Sequence, residues 1–265
     1  MTDLLAHVES IWQAVVPQLP GFTVEVVPSI DSTNSELMRR ARQGRHEPVL
    51  LVAEDQTAGR GRVGKGWHSR PGQSLTFSLA LPLSPADWSG LSLAVGVSLA
   101  ESIDPQVRLK WPNDLWWQQR KLGGILVETA SNGTPDAPRT LVVGVGLNVN
   151  RPDAVALVSG SAPAGTLAPM PPAGVAELIM GITVGELFER VAAPLVRDLQ
   201  LFEARGFEAF QDRFAVRDAL QGLSVVLSDG TQGVASGVSR QGALQVQTAS
   251  GCREVTSAEV SVRPC

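Results

Sequence analysis

The sequence has few of the residues that build metal sites and disulfide frameworks. Its 265 residues include two cysteines, Cys252 and Cys265, and three histidines. Two cysteines do not supply a disulfide framework, and they suit a reducing compartment. The histidines, at positions 7, 46 and 68, lie too far apart for metal-ligand spacing. We therefore expect neither a disulfide-stapled fold nor a protein-ligated transition metal.

Signals for export and for membrane insertion are also absent. The chain opens with Met-Thr-Asp and no basic region, and no apolar run approaches the ~20 residues of a membrane span. We expect a cytoplasmic protein that does not enter a membrane. With 43% apolar and 18% charged side chains, it has room for one large and one small globular domain. The net charge of −4 argues against nucleic-acid binding over the whole surface.

One loop, which follows Asp55, lacks acidic residues and alternates glycine with positive charge. Glycines let other groups approach the backbone closely, and arginine and lysine supply the charge that a phosphate or carboxylate needs. The loop is therefore predicted to bind a small anion, although a glycine-rich loop with solvated arginines is the plain alternative. Its glycines and cations are Gly59, Arg60, Gly61, Arg62, Gly64, Lys65 and Gly66.

Familiar phosphate loops match these residues by letter but not by context. The dinucleotide pattern G-x-G-x-x-G needs a helix directly after it, whereas residues 69–72 read as a turn and residues 75–81 as a strand. In a P-loop, a Ser or Thr stands where this chain has Gly66. The His-Arg-Asp and Asp-Phe-Gly motifs of protein kinases do not follow.

Hydrophobic periodicity predicts a mixed α+β domain with a small β-barrel appended to it. Residues 158–174, rich in proline, glycine, alanine and serine, are predicted to form a loop, for which a lid is one interpretation. Helices are predicted at 3–16, 35–43, 91–102, 184–203 and 207–214. Strands are predicted at 22–27, 48–53, 75–81, 107–111, 115–117, 122–129 and 141–149, and barrel strands at 223–227, 233–238, 243–248, 253–256 and 259–263.

Three further groups of residues have both a functional and a structural interpretation. Residues 31–34, Asp-Ser-Thr-Asn, precede a helix and are first of all a predicted N-cap. Lys121 begins a glycine-rich apolar strand, so we expect a buried stem and an ammonium group that needs an anionic partner; a solvated strand-end lysine is the alternative. Asn148 interrupts an apolar strand, where it could bond a neighbouring loop or a ligand.

Taken together, the motifs closely resemble those of the biotin protein ligases over nearly the whole chain. That family has, in this order, Ser-Thr-Asn before a helix, Gln ahead of Gly-Arg-Gly-Arg, Lys-Trp-Pro-Asn-Asp, Lys-Leu-Gly-Gly-Ile-Leu-Val-Glu and Gly-x-Gly-x-Asn. The corresponding residues here are 32–34, 56 with 59–62, 110–114, 121–128 and 144–148. The C-terminal residues 242–244 and 259–263 resemble the family's SH3-like barrel.

The resemblance implies a fold, an activity and partners. The implied fold is a mixed sheet with helices, similar to class II aminoacyl-tRNA synthetases, at residues 1–218, and an SH3-like barrel at 219–265. The implied enzyme is an ATP-dependent ligase that converts biotin to biotinyl-5'-AMP and passes biotin to a lysine of a biotin carboxyl carrier protein domain. The implied co-substrate is ATP with Mg²⁺, without a tightly bound prosthetic group.

The site roles implied by the resemblance agree with the chemistry of the ligands. Biotin's ureido ring is neutral but offers two N–H donors and a carbonyl, so hydroxyls and amides suit it. Negative charge crowds where the biotin carboxylate meets the ATP phosphates, so cations suit that end. The implied biotin contacts are Ser32, Thr33, Asn34, Gln56, Gly59, Arg60, Gly61, Arg62, Lys121 and Gly124. Catalysis is assigned to Lys121, Arg62 and Arg60, ATP or adenylate contacts to Arg62, Lys65, Trp67, Asn113, Lys121 and Asn148, and a weak Mg²⁺ contact, made through the phosphates, to Asp114.

The chain departs from the family pattern in its basic loop and at its start. Val63 is apolar where relatives are often basic, and His68, which follows Trp67, is interpreted as a partly exposed loop histidine. About thirty residues precede Asp31, which is too few for a winged helix-turn-helix. We therefore expect the monofunctional type that does not bind DNA. An exposed edge strand could pair two copies in a homodimer or bind the carrier.

Two other functions are compatible with parts of the sequence. Lipoate or octanoate ligases and transferases share a similar catalytic fold, but they favour an Arg-Gly-Gly-Gly pattern and their ligand has no ureido ring. A catalytically silent ligand-binding module is expected to have lost Lys121 or Arg62, and both are present. The ligase interpretation accounts for more of the residues than either alternative.

Overall fold

The computed structural model describes residues 2–131, 138–152, 170–256 and 262–264. It contains five α-helices and twelve strands in these ranges. The helices are α1 (Thr2–Val15), α2 (Thr33–Arg42), α3 (Leu91–Ile103), α4 (Val184–Arg205) and α5 (Gln211–Ala215). The strands are β1 (Thr23–Ile30), β2 (Val49–Gln56), β3 (Ser74–Leu83), β4 (Arg108–Lys110), β5 (Asp114–Trp117), β6 (Arg120–Ala130), β7 (Arg139–Asn148), β8 (Ser224–Leu227), β9 (Gln232–Val238), β10 (Leu244–Thr248), β11 (Gly251–Val255) and β12 (Val262–Pro264).

A seven-stranded mixed sheet forms the centre of the larger unit. Its strand order is β1-β2-β3-β7-β6-β5-β4, in which β1 and β2 are parallel and the other neighbours are antiparallel. The central strands are nearly all buried because both faces of the sheet are covered, as the alternating residues of β7 show. Leu141, Val143, Val145 and Leu147 belong to the main hydrophobic core, whereas Val142 belongs to a second cluster on the other face.

Helices cover both faces of this sheet unequally. On one face, α1, α3 and α4 pack together and bury the main core, in which Phe77 meets Phe188 with ring centroids 5.4 Å apart. On the other face, α2 is the one helix among the described residues, and it buries Leu37, Met38 and Ala41. Each large apolar side chain buried in this way stabilises the fold by about 1.5–3 kcal/mol. Because α2 is short, it leaves part of this face of the sheet uncovered, and the polar residues of β3 lie in that part.

The second unit is a five-stranded antiparallel sheet with the order β11-β10-β9-β8-β12. It is joined to the larger unit by Trp111, which is 1% exposed and whose indole Nε1 donates to the Gly242 carbonyl at 3.1 Å. An added methyl group at Gly242 would lie 2.8 Å from the Gly90 Cα, so the two backbones meet closely. The C-terminal sheet therefore packs directly against the residues that precede β5.

These elements confirm the predicted mixed fold with a small C-terminal β-unit, and most element positions agree within two or three residues. Residues 207–214 are helical as predicted, but their first turn, Phe207–Phe210, is a 3-10 helix that leads into α5, and Gly206, at φ 64°, separates this segment from α4. The predicted loop at 158–174 lies mostly outside the described residues, as does part of the strand predicted at 259–263. Among the described helices, none has the length and apolarity that a membrane crossing requires.

Candidate active site

A cavity of about 420 Å³ opens on the face of the sheet that α2 covers incompletely. It is lined by the N-terminus of α2, the polar face of β3, the neighbouring parts of β6 and β7, and the basic loop. Residues 110–114 and Ser228, from the turn after β8, also line it. The cavity therefore collects side chains from both units of the protein.

Glycines on adjacent strands form the floor of this cavity. Gly146 pairs with Gly124 and Gly144 with Leu126. An added methyl group at Gly144 would overlap the Asn34 amide, and one at Gly146 would overlap the Trp67 ring. Glycine at these two positions is therefore what allows both side chains to lie flat on the sheet.

Four neutral polar side chains form a connected hydrogen-bonded group, which we call the neutral row: Thr33, Asn34, Gln56 and Ser78. Gln56 Oε1 accepts from the Thr33 backbone N–H at 2.8 Å and from its hydroxyl at 3.0 Å. The Thr33 hydroxyl lies 2.7 Å from Ser78 Oγ, which donates to Asn34 Oδ1 at 2.6 Å. All four residues are at most 9% exposed, so the row is held in place by its own hydrogen bonds.

Two cations of the cavity lie near the carboxylate of Asp114. We call Arg62, Asp114 and Lys121 the charged cluster. Lys121 Nζ lies 2.7 Å from Asp114 Oδ1, and Arg62 donates to Asn113 Oδ1 at 3.4 Å. Burial lowers the pKa of the Arg62 guanidinium, and the nearby Asp114 carboxylate opposes that shift. Arginine still remains protonated in proteins, so the cluster carries net positive charge.

Lys121 has the anionic partner that the sequence predicted, and its side chain is only partly buried. Its ammonium group points at Asp114, as an aimed lysine requires, yet its side chain is 41% exposed. β6 begins directly after the turn at Gln118 and Gln119, both with positive φ, and Lys121 faces the cavity from the strand's first residues, while the burial of its stem stays a prediction. The lysine is consequently accessible to an anion that enters the cavity.

The basic loop folds back on itself over the cavity. Arg60 and Gly66 form an isolated antiparallel bridge, and the Trp67 N–H donates to the Gly59 carbonyl at 2.9 Å. At the tip, Val63 has φ 54° and is 88% exposed. A β-branched residue in this left-handed region is strained by about 1–3 kcal/mol. The loop is thus closed at its base and strained at its tip.

Arg60 has a different set of contacts from Arg62. Its guanidinium donates to Ser35 Oγ at 3.1 Å and to Glu128 Oε1 at 2.8 Å. Trp67 reaches inward instead, where its ring lies on Gly146 and its Nε1 donates to Thr76 Oγ1 at 3.2 Å. Gly61, Lys65 and Gly124 line the cavity as well, and His68 is exposed.

Three of the sequence-predicted site residues do not line the cavity itself. Ser32 caps α2, where its hydroxyl accepts from the Ser35 N–H. Gly59 lies at the loop base, where an added methyl group would overlap the Trp67 carbonyl. Asn148 is 7% exposed and donates to the carbonyls of Ala173 and Lys121, at 3.1 and 3.5 Å. These contacts match the structural interpretation of Asn148 and leave its ligand role a prediction.

Sequence reasoning gave no role to several residues that shape the cavity. Thr76 and Ser78 alternate with core residues in β3, and that alternation of small hydroxyls was a readable signal. Lys110, whose Nζ lies 4.7 Å from the centre of the Trp116 ring, and Ser228 also line the cavity. The approach of Ser228 depends on how the C-terminal sheet packs, for which the sequence contains no local signal.

Two protein-family models match this chain over the residues that line the cavity. Residues 26–148 match the model of the "Biotin/lipoate A/B protein ligase family", and residues 225–263 match that of the "Biotin protein ligase C terminal domain". Every strand of the seven-stranded sheet except part of β1 lies within the first match. The second match spans β8–β12 almost completely.

Individual relatives are similar over most of their length. The "Bifunctional ligase/repressor BirA" of Escherichia coli is 34% identical over 262 residues, covering 94% of this chain and 77% of that protein. The "Biotin--[acetyl-CoA-carboxylase] ligase" of Paracoccus denitrificans is 29% identical and covers 87% of this chain and 96% of that protein. The solved structure "Biotin protein ligase from Aquifex aeolicus in complex with biotin and ATP" superposes with a TM-score of 0.71 at 28% identity, covering 91% of this chain and 99% of that one.

Proposed function

Because the chain belongs to the biotin protein ligase family, we propose that its cavity holds biotin on the neutral row and ATP at the charged cluster. The activity is that of a biotin–[acetyl-CoA-carboxylase] ligase. The observation that carries the residue assignments is that a neutral, internally hydrogen-bonded row and a cationic cluster line one cavity. Biotin has a neutral ring and an anionic tail, so it needs both.

The neutral row suits the ureido ring. Gln56 Oε1 is occupied by Thr33, so its Nε2 donor is directed to other acceptors such as the ureido carbonyl. Ser78 and Thr33 hydroxyl oxygens have lone pairs for the ureido N–H groups. A ligand without these groups would leave buried polar atoms unpaired, which lowers its binding strongly. This selectivity argues against lipoate or octanoate as the preferred substrate.

The charged cluster suits the reacting end of the substrates. The biotin carboxylate attacks the α-phosphate of ATP, a new O–P bond forms, and pyrophosphate leaves with the electron pair of the broken P–O bond. Negative charge builds up where these groups meet. Arg62 and Lys121 line the cavity and would stabilise that charge. Asp114 holds Lys121 in place until an anion competes for the ammonium group.

The roles of the remaining assigned residues follow from their positions. Asn113 orients Arg62, since its own Nδ2 donates to the Ile125 carbonyl at 2.9 Å and leaves Oδ1 for the guanidinium. Lys65 and Trp67 would contact the adenylate from the loop, and Asn148 would support the nucleotide from β7. Arg60 acts through Glu128 and Ser35 rather than through the charged cluster.

Mg²⁺ is the expected companion of ATP. Within the described residues there is no cluster of three or more carboxylate, histidine or cysteine side chains that could cage a metal. Asp114 is the acidic residue that lines the cavity, and it fits a single ligand to an ion held mainly by phosphates. Bound there, Mg²⁺ would neutralise phosphate charge. Arg62 and Lys121 would still position the reacting oxygens.

The acceptor is proposed to be a biotin carboxyl carrier protein domain. Its lysine amine would attack the acyl carbonyl of the adenylate, form an amide bond and release AMP, with loss of the amine proton to solvent or a nearby base. The loop from Gly59 to Trp67 would keep water from the mixed anhydride meanwhile. We propose a division near residue 218 between the catalytic unit and the C-terminal unit, whose Ser228 extends the cavity wall.

Mass spectrometry of the products tests this function. The protein would be incubated with ATP, Mg²⁺ and, in separate reactions, biotin, lipoate and octanoate. We expect biotinyl-5'-AMP in the first reaction, and biotin on the carrier lysine once a carrier domain is added. Adenylate formed only from lipoate or octanoate would overturn the substrate assignment, and the absence of any adenylate would favour a silent binding module.

A further inference from the structure

Glu128 is the last residue of the glycine-rich strand motif and has no role in the proposed chemistry so far. We infer that Glu128 is a positioning residue that sets the direction of the hydrogen bonds in the neutral row and ties that row to the basic loop. This inference rests on the proposed assignment of the neutral row to the ureido ring.

Glu128 lies between two donors from different elements. Its Oε2 accepts from Asn34 Nδ2 at 2.9 Å, and its Oε1 accepts from Arg60 Nη2 at 2.8 Å. The side chain is 22% exposed, so its contact with Asn34 is partly shielded from water, whereas its contact with Arg60 lies at the surface. One carboxylate thereby links the start of α2 to the base of the basic loop.

The contact with Asn34 determines which way its amide faces. A carboxylate only accepts hydrogen bonds, so the Asn34 NH₂ group must point at Glu128, and it also approaches the Leu126 carbonyl at 3.4 Å. The Asn34 Oδ1 therefore faces Ser78, whose single hydroxyl hydrogen must be directed to it. The Thr33 hydroxyl lies 2.7 Å from Ser78 Oγ and 3.0 Å from Gln56 Oε1, and its single hydrogen serves one of these two acceptors. The directions of the Asn34 amide and the Ser78 hydroxyl therefore follow from Glu128, and with them the donors and acceptors that these two residues offer to a ligand.

A carboxylate is required for both contacts at once. An amide at position 128 has one oxygen and one NH₂ group, so it could accept from Arg60 or from Asn34 but would present a donor to the other. The Asn34 amide would then be free to turn over, and Ser78 would lose its fixed acceptor. Charged hydrogen bonds of this kind are the strong ones, which makes the difference measurable.

The test is the kinetics of biotin-dependent ATP–pyrophosphate exchange by Glu128→Gln. We expect the KM for biotin to rise about 10- to 50-fold. The KM for desthiobiotin, which keeps the ureido group, should rise by a similar factor, while the KM for ATP should change less than about twofold. Glu25→Gln is the matched control, because Glu25 accepts from Arg40 at 2.7 Å outside the cavity, and it should leave all three constants unchanged.

A polarity-preserving swap separates positioning from loss of fold. In Asn34→Asp alone, two carboxylates would face each other, and biotin use should fall further than in Glu128→Gln. In the double variant Asn34→Asp with Glu128→Gln, the new amide donates to the new carboxylate, Arg60 keeps an oxygen acceptor, and Ser78 still donates to an oxygen. We expect most of the wild-type KM for biotin to return.

Each outcome of these measurements is decisive. A double variant no better than its worse parent, or equal rises in the KM of biotin and ATP with a lower melting temperature, would overturn the role of Glu128. If the wild-type protein uses biotin and Glu128→Gln uses it equally well, only this inference is wrong. If the wild-type protein does not use biotin, the proposed function and this inference are both wrong.

Discussion

The neutral row and the charged cluster line the same cavity but are built on different principles. The row is at most 9% exposed, and each of its members is hydrogen-bonded to another. In the charged cluster, Lys121 is 41% exposed, and the two cations Arg62 and Lys121 face the single carboxylate of Asp114. One region is ordered by its own hydrogen bonds, and the other retains excess positive charge.

This difference separates recognition from chemistry. A preorganised neutral row loses little freedom when a ring binds, so its contribution is selectivity. A cationic cluster with excess charge is stabilised when phosphates and a carboxylate arrive together, and its contribution is largest as charge builds up in the transition state. Changes in the two regions should therefore affect different kinetic constants.

Lys121→Ala is expected to have the largest effect, and it falls on the charged cluster. Removing the ammonium group should slow adenylate formation about 10²- to 10³-fold, because a preorganised charge near the reacting phosphate is lost. Pyrophosphate exchange measures the rate, and Arg45→Ala, an exposed cation outside the cavity, serves as control. A rate close to that of the wild-type enzyme with an unchanged melting temperature would contradict the role of Lys121.

Arg62→Gly should loosen the hold on the adenylate. The guanidinium is half-buried at the cavity, and loss of its charged hydrogen bonds should speed adenylate release roughly 10-fold or more. Released biotinyl-5'-AMP would label lysines on a bystander protein added to the reaction, which a biotin blot detects. Labelling confined to the carrier domain would show that another residue retains the adenylate.

Gly144→Ala is expected to displace side chains of the neutral row. The added methyl group overlaps the Asn34 amide, so the row must shift, and overpacking of this kind costs about 1–3 kcal/mol. We expect the KM for biotin to rise about 10-fold while the KM for ATP stays within about twofold. If both constants rise equally, the two regions are not energetically separate.

Ionic strength should produce the smallest effect and needs no substitution. Raising salt from ~0.05 M to ~0.5 M shortens the screening length several-fold, so attraction of ATP to the half-exposed cluster should weaken a few-fold. The KM for biotin depends mainly on neutral hydrogen bonds and should change less. Parallel titrations at each salt concentration measure both. Equal salt sensitivity would argue that the cations act on biotin as strongly as on ATP.

Local patterns were enough to predict much of this molecule. Periodicity predicted α2 and β3 from apolar residues that recur on one face, and a nearly continuous apolar run predicted β7, which is buried on both faces. Residues 207–214 are helical as predicted, but periodicity does not show that their first turn is a 3-10 helix. The burial of the Lys121 stem stays a prediction, because the 41% exposure of its side chain depends on the cavity that faces β6 and not on the residues of β6.

The hydrogen-bond directions in the site required the structure. Asn34, Ser78 and Glu128 belong to a helix and two strands that are distant in sequence, and they meet only through the strand order β3-β7-β6. No local pattern encodes that meeting. The motif identified the residue types that biotin needs, and the sheet determines which of them donate and which accept.

The glycine floor limits how the cavity could be made larger. Gly144, Gly146 and Gly124 already have the smallest possible side chain, so no substitution there can add volume. Directed evolution toward bulkier biotin analogues must instead shorten the walls, at Trp67, Thr76 or Leu126, or move the loop. Libraries randomised at the floor should therefore return glycine, whereas those at the walls should yield enzymes with altered substrate scope.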